Sequence, residues 1–469
     1  MSRAYYKNLL ISLLVVFFGR GQALAMSIEN NNDLFKLDLP VVVINTVNNE
    51  QPSFEEIECP PGCWGVGITN VTKVPGRLRI ILKNDTLYDS GEYIEKESGM
   101  TIKVRGNTSA FKDKKPYKVK LLKKADLLCR GDKSFNDKNW LLLRKEKLLW
   151  DVGFALNNLL QLQWTPSYKY VNLIINDEYM GTYMLVEAVN RNKNCRLNVD
   201  ENGYVFEYDS YWWNEDLYVQ SSTPSPMNYT FKYPESDEIT DEQLLYFKNM
   251  INTVEQSVDN ETYPDYIDVN SFASWILAQD ILGNRSGGGS NVFLTKYDNT
   301  ENSKVIMANL WDFDRIFLKK DSWSGCREVF LWAKLFGNQN TAFVDAYIAK
   351  WDQIKDWIFD SIISSLESFM NSPEGLALDE SLLYEESIWN EQNGSIADNV
   401  EIAKEWFYSR KKWMEEKINQ MRTSSIIWQI KDEPITDCSL YNLGGAIIYN
   451  NQPSRPGVYI QNRKKVVIK

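Results

Sequence analysis

Histidine is absent from the 469-residue chain. That absence removes Ser-His-Asp and Cys-His nucleophile systems and the H-E-x-x-H zinc site. General acid–base work then falls to carboxylates, Lys or Tyr, so any chemistry here is carboxylate or carboxylate–metal chemistry. The six cysteines contain no C-x-x-C pair, and a structural zinc would need four clustered ligands. Cys59 and Cys63 flank a Pro60-Pro61-Gly62 turn, which suits either a small disulfide loop or two reduced thiols. Positive charge is in deficit as well. The 52 Lys and Arg face 63 Asp and Glu, a net charge of −11, the wrong sign for a protein that tracks nucleic-acid phosphates. A membrane-spanning helix needs roughly 20 apolar residues, and no segment supplies them. The apolar run at residues 9–18 follows Arg3 and Lys7 and precedes Gly19-Arg20-Gly21-Gln22 and Ala23-Leu24-Ala25. This is the pattern of a cleavable signal over residues 1–25, with the remainder secreted or held at the cell surface.

What is present is a heavily aromatic chain, with 16 Trp and 25 Tyr, too long for one ordinary core and expected to fold as two or three cooperating units. Residues 39–210 are β-rich. Strands are expected at 40–44, 77–82, 101–104 and 117–122, a helix at 150–160, and a hairpin from 170–175 and 181–186. From about residue 240 the spacing turns helical, at 241–258, 269–282, 341–371 and 396–421, interrupted by strands at 291–297 and 304–317. Residues 434–469 alternate again around Gly444-Gly445 and a Pro453/Pro456/Gly457 turn, the pattern of a small β unit. The fold class expected is α+β, a β-rich half followed by a mostly helical half.

Four local patterns carry candidate chemistry. Arg105-Gly106-Asn107-Thr108-Ser109, followed by Lys112, Lys114, Lys115, Lys118 and Lys120, offers a glycine turn with hydroxyls and cations that can hold phosphate. Lys118 and Lys120 share a face if the segment is a strand; lysines that guard a solvated strand edge are the plain alternative. Glu187 ends an apolar strand, where a carboxylate needs a cation unless it stands in water. Asp280 precedes Gly283-Asn284-Arg285-Ser286-Gly287-Gly288-Gly289-Ser290-Asn291, a glycine loop bracketed by two Asn side chains able to bind phosphate or metal. In Trp311-Asp312-Phe313-Asp314, two carboxylates at i and i+2 on a strand would project to one side as a divalent-cation clamp. Together these parts have the logic of phosphoryl transfer: a Lys on phosphates, a Glu orienting it, a divalent cation on Asp and Asn, and a base for the nucleophile. A carbohydrate hydrolase with paired carboxylates stays open on composition, but nothing places an acid and a nucleophile across a cleft.

At these residues the sequence resembles the spore-coat CotH family of atypical secretory protein kinases, from about Leu39 to Met421. The resemblance rests on five ordered blocks: Pro40-Val41-Val42-Val43-Ile44-Asn45-Thr46; Arg105-Gly106-Asn107 with Lys114-Lys115-Pro116-Tyr117-Lys118-Val119-Lys120-Leu121; Asn139-Trp140-Leu141-Leu142-Leu143; residues 171–187; and residues 284–291 with 311–314. It implies a two-lobed, atypical protein-kinase-like domain at 39–425, with an N-lobe at about 39–210 and a C-lobe at about 211–425. It implies ATP and Mg²⁺ or Mn²⁺ as cofactors, and a secreted or surface protein as acceptor. Arg105 and Lys118, or Lys120 in its place, would meet the nucleotide phosphates, with Glu187 as the ion-pair partner. Asn291, Asp312 and Asp314 would hold the metal. The family writes Asn-x-Asp and then, five residues on, Asn; here Ser286 stands where the catalytic Asp is expected, and Asp280 is the nearest substitute. The alternative is a catalytically dead pseudokinase serving as a surface scaffold. The last forty residues resemble the sorting domains of type IX secretion cargo.

Overall fold

The structure is a computed structural model. It describes residues 31–429 except 64, 70, 145–146, 225, 338–340 and 390–393, together with four strands between 440 and 468. The expected leader at residues 1–25 lies outside the described residues, as does most of the linking chain of the tail. The fold is mixed α+β.

Ten strands come first: β1 (Val41–Thr46), β2 (Glu55–Glu58), β3 (Val66–Thr69), β4 (Val74–Leu82), β5 (Asp85–Asp89), β6 (Met100–Val104), β7 (Tyr117–Ala125), β8 (Asp137–Arg144), β9 (Tyr168–Ile175) and β10 (Glu178–Glu187). Helix α1 (Leu149–Leu159) lies between β8 and β9. Eight of the strands form one sheet in the order β1-β9-β10-β8-β7-β6-β4-β5, closed by an extra β1–β4 pairing, while β2 and β3 make a separate hairpin. Strict alternation on β4, β6 and β7 buries Leu78, Ile80, Ile102, Val119 and Leu121 in one core with Trp140 and Leu142. The residues between them face the other way, as the two-residue period of a strand requires. Cys59 and Cys63, beyond the end of β2, are free thiols.

A second, five-stranded sheet follows. Its strands are β11 (Tyr204–Tyr208), β12 (Tyr218–Gln220), β13 (Asn228–Tyr233), β14 (Val292–Lys296) and β15 (Val305–Met307), in the order β12-β13-β11-β14-β15. Between β13 and β14 run α2 (Asp241–Asp259) and α3 (Val269–Leu282). A capping box starts α2: Thr240 Oγ1 accepts from the Gln243 N–H at 3.2 Å and Gln243 Oε1 from the Thr240 N–H at 2.9 Å, satisfying two otherwise orphaned donors. Asp268 caps α3 by accepting from the Ser271 N–H at 2.7 Å, and Gly283, in the left-handed region at φ +58°, ends it. The remaining helices are α4 (Phe330–Phe336), α5 (Thr341–Ile354), α6 (Ile358–Met370), α7 (Pro373–Trp389) and α8 (Ile396–Gln429). No helix among the described residues is long and apolar enough to cross a membrane.

Two expectations are corrected. The helix expected over 341–371 is α5 and α6, broken at 355–357. Trp351, Ile354, Ile358 and Ile362 are all buried across the break, so apolar spacing continues where the backbone does not. The strand expected over 304–317 is only β15. Asp312 adopts φ +63°, a left-handed conformation that ends extended structure. Trp311 and Phe313 on either side pack edge-on against Trp150 of α1, with centroids 5.2 and 5.1 Å away.

The chain divides into two compact units, up to Lys411 and from Lys412. The second carries β16 (Leu440–Asn442), β17 (Ile447–Ile448), β18 (Gly457–Gln461) and β19 (Lys464–Ile468), antiparallel in the order β17-β16-β18-β19.

Within the first unit, α7 fastens the back of the large sheet. The Tyr170 N–H donates to Glu374 at 3.0 Å, Asn172 to Ser381 at 3.1 Å, and the Trp389 indole to the Met180 carbonyl at 2.9 Å. Glu385 of α7 accepts from the Thr182 N–H at 3.1 Å and pairs with Lys114. Both members of that pair are 1% exposed. Removing one partner of a buried ion pair leaves the other charge without compensation, which costs about 3–5 kcal/mol. Glu385→Gln is therefore expected to lower the urea-unfolding free energy by about that amount, and Lys114→Met added to Glu385→Leu to recover most of it.

Candidate active site

The alternation that buries Ile102, Val104, Val119 and Leu121 turns Lys103, Lys118 and Lys120 to the opposite face, and Arg105 follows directly after β6. All four cations line one cleft of about 1100 Å³. β7 is paired on both sides at Lys118 and Lys120, so these two lysines do not guard an edge; the β4–β6 pairing ends at Ile102, one residue before Lys103. Burial, and then the neighbouring Lys103, Lys232 and Lys120, push the Lys118 ammonium down to about 8. Lys120 is exposed and sits 3.7 Å from Glu235. Gly106 turns the chain at φ +84° with Ser109 Oγ 2.3 Å from where its Cβ would be, so only glycine fits between Arg105 and the hydroxyl-bearing turn. The Tyr211 hydroxyl lies 3.2 Å from Thr108 Oγ1, and Asn214 donates to Asn107 at 2.7 Å.

The facing wall comes from the second sheet. Phe206 of β11 packs on Phe247 of α2, centroids 5.0 Å apart, and the alternate positions Glu207 and Asp209 line the cleft. Burial pushes Glu207 up to about 7. Its carboxylate pairs with Lys232 of β13 at 3.0 Å and accepts the Asn291 N–H at 2.9 Å. Burial would lower the Lys232 pKa, but Glu207, Glu215 and Asp209 outweigh it and hold the ammonium above its usual value. Asp209 is raised chiefly by burial and accepts from the Tyr211 N–H at 2.8 Å and the Thr230 hydroxyl at 3.3 Å. Burial also lowers Arg105, with Glu207 and Asp312 opposing.

The third element is the loop between α3 and β14. Asn284 is fully buried, donating to the Asp312 carbonyl at 2.9 Å and accepting the Ser286 N–H at 3.0 Å. The glycine triplet is closely packed. Gly288 takes φ +92° and a Cβ there would lie 2.6 Å from Cys326 Cα; Ser210 bonds both the Gly289 carbonyl and Ser290. Ser286, Asn291, Asp312 and Asp314 line the cleft. Asn291 Nδ2 is 3.4 Å from the Asp312 carboxylate. Asp312 is half-buried and Asp314 exposed. Because the backbone here is irregular, the strand argument for a shared face does not hold, although both line the same cleft.

Two expected residues lie elsewhere. Glu187, 1% exposed at the end of β10, pairs with Arg130 at 2.8 Å and accepts the Ser167 N–H at 3.0 Å. It is not the partner of Lys118: a buried carboxylate needs a cation, and Arg130 is that cation. Asp280 is fully buried. It accepts from Ser324 Oγ at 2.7 Å, from Arg327 at 2.8 Å and from the Tyr347 hydroxyl at 2.9 Å. It therefore cannot stand in for the acid missing at Ser286 without breaking that network. The residues that sequence reasoning passed over are Lys103, Glu207, Asp209 and Lys232. Their signal was available as two acids two apart within the aromatic run Tyr204-Val205-Phe206-Glu207-Tyr208-Asp209, and a lysine between Phe231 and Tyr233.

Among the described residues no group of three or more His, Cys, Asp or Glu gathers as a metal cage. Mg²⁺ does not demand one, since it is commonly held by one or two carboxylates together with waters and substrate phosphates. The Asp312 carboxylate offers oxygens for such an ion; the Asn291 amide presents its Nδ2 to that carboxylate and would add its oxygen on turning over.

Comparison with known proteins places the chain in a family. No curated protein matches it. A crystal structure of the Golgi casein kinase is similar over 82% of this chain and 76% of that one, at 10% identity and a TM-score of 0.24, a likeness on which nothing rests. The family described as CotH kinase protein matches residues 102–414, which take in the large sheet from within β6 to β10, the whole second sheet and every cation and carboxylate described above as lining the cleft. The chain belongs to the CotH kinase protein family.

Proposed function

We propose that this is an exported CotH-like phosphotransferase that binds ATP with Mg²⁺ or Mn²⁺ and transfers phosphate to Ser or Thr of a secreted or surface protein, slowed by Ser286. The observation that carries the reading is the gathering of Arg105 and Lys118 with Asn291 and Asp312 around one cleft. The leader-like residues 1–25 and the strand-rich tail support export, and the order of two sheets and a helical region supports a two-lobed reading.

In this reading Arg105 and Lys118 meet the polyphosphate, and the Glu207–Lys232 pair fixes Asn291 from behind through its N–H. Asp312 and Asn291 would hold the divalent ion, which when bound neutralises phosphate charge. Lys118, Asn291 and Asp312 are each half-buried in the cleft, and this partial desolvation strengthens their interactions with a bound ligand. What the chain lacks is an anion at position 286 to accept the acceptor hydroxyl's proton. General-base help is worth about 10²–10⁴-fold, while positioning and charge supply most of the remainder for a loose phosphoryl-transfer transition state. The engagement of Asp280 with Arg327 and Tyr347 favours a second reading, a pseudokinase that binds nucleotide or protein without turnover.

Isothermal titration of the purified protein with Mg·ATP is expected to show binding in wild type and its loss in Asp312→Ala; equal heats in the two would sink the reading. With γ-labelled ATP and a Ser/Thr-bearing protein acceptor, Ser286→Asp is expected to raise transfer by up to about 10²–10⁴-fold. An unchanged rate would mean that Ser286 does not occupy the base position. Bound phosphate favours the charged form of Lys118, whose free ammonium titrates near 8. Binding near pH 8 should therefore take up protons, and affinity should fall as pH rises through that value. Calorimetry in buffers of different ionisation enthalpy measures the uptake, which Lys118→Met should abolish and Lys120→Met should leave.

A further inference from the structure

We propose that Lys103 and Lys118 act as one two-ammonium cradle for an oligophosphate, so that Lys103 is a second phosphate-binding residue. The ligand class rests on the phosphotransferase reading; the pairing itself rests on the sheet.

In the β6–β7 ladder, Lys103 stands directly opposite Lys118, flanked by Ile102↔Val119 and Val104↔Tyr117. Directly opposed residues on one face of an antiparallel pair have Cβ atoms about 4.5–5.5 Å apart, and like charges in that relation destabilise the sheet. Both lysines are half-buried and both line the cleft. The usual reasons to tolerate such a pair are missing. Lys118 is paired on both sides, to Lys103 and to Leu141, so its charge protects no edge. Nor are the two charges neutralised in place. Lys232 has Glu207 and Lys120 has Glu235, but among the described residues no carboxylate lies within ion-pair distance of Lys103 or Lys118. Lys103, Lys232 and Lys120 lower Lys118 against Glu235, and Lys73 is the largest single charge acting on Lys103, lowering it beyond the effect of burial. Glu215 and Asp216 oppose this more weakly.

Two desolvated ammonium groups a strand-spacing apart, at the wall of a concave site, are stabilised together by one multivalent anion that both can contact. A phosphate chain meets that need, because its oxygens accept charge-assisted bonds from each lysine at once. Nucleotide and inorganic oligophosphates share this chemistry, and separate ligands distinguish them.

The test uses the full chain and titrates Mg·ATP and inorganic tripolyphosphate, each against wild type, Lys103→Met, Lys103→Arg and Lys118→Met. Hydrogen bonds to charged groups are worth about 1.5–3 kcal/mol, so each Met variant is expected to lose about tenfold or more in affinity, with Lys103→Arg largely retained. Without ligand, Lys103→Met is expected to melt no lower than wild type, since it removes a repulsion. That rise or equality separates lost binding from lost folding. Tripolyphosphate binding that depends on both lysines supports the cradle even if Mg·ATP fails to bind, an outcome that would instead remove the nucleotide reading. Mg·ATP binding that is weakened in Lys103→Met without tripolyphosphate binding supports a cradle specific for nucleotide. Mg·ATP binding equal in wild type and Lys103→Met overturns the cradle and leaves the nucleotide reading intact. Binding of neither ligand by wild type overturns both.

Discussion

The cleft depends on a single buried carboxylate. Glu207 draws three strands to one point: it sits on β11, pairs with Lys232 of β13, and receives the N–H of Asn291 at the start of β14. Burial alone makes its charged form costly, and the lysine and the N–H offset that cost. In turn Glu207 supplies negative charge where Lys232 and Arg105 would otherwise add to Lys103 and Lys118. Take the carboxylate away and Lys232 and the Asn291 N–H lose their direct partner, leaving Glu215 and Asp209 as the acids acting on Lys232. The geometry of Asn291, and through it the approach to Asp312, follows from that local neutralisation.

Such a site is balanced but not settled. Cations dominate the β6–β7 wall, while acids come from β11, from the turn at Glu215 and Asp216 and from Asp312. The two groups meet through only a few direct pairs, which leaves charge on both sides for a ligand that is itself anionic and metal-bound. Rigidity comes from sterics rather than from more ion pairs. Gly106 and Gly288 take left-handed conformations in places where a Cβ would strike Ser109 or Cys326, so the turns beside Arg105 and Ser286 are held by packing.

Much of the framework was legible because it follows from period alone. Strands β1, β4, β6, β7, β9 and β10 and helices α1, α2 and α3 fall where apolar spacing put them. The alternation on β7 that buries Val119 also delivers Lys118 and Lys120 to one face. Spacing was silent where the backbone breaks pattern: it continued through the gap between α5 and α6, and it read Trp311 to Asp314 as a strand although Asp312 turns left-handed. Partnership was harder still. Glu187 and Asp280 looked available because a sequence does not show that Arg130 and Arg327 lie beside them, 57 positions before and 47 positions after respectively. Glu207 was missed because the acids of an aromatic stretch, Glu207 and Asp209, look like polar interruptions until Lys232 is seen on the neighbouring strand.

The fastening of the large sheet by α7 carries a consequence for how the polypeptide acquires its shape. Several polar groups of β9 and β10, and the ammonium of Lys114, take partners on a helix that begins some two hundred residues later. As the chain emerges from a ribosome, or threads through a translocation pore, those strands can pair with β1 and β8, but their contacts to α7 are not complete until Glu385 has followed. The early sheet must then wait in an incomplete form, exposed to chaperones and to premature association, and contacts so distant along the chain are slow to close. Under the proposed export, in which the chain is threaded unfolded, a late-arriving clasp is a delay of the useful kind.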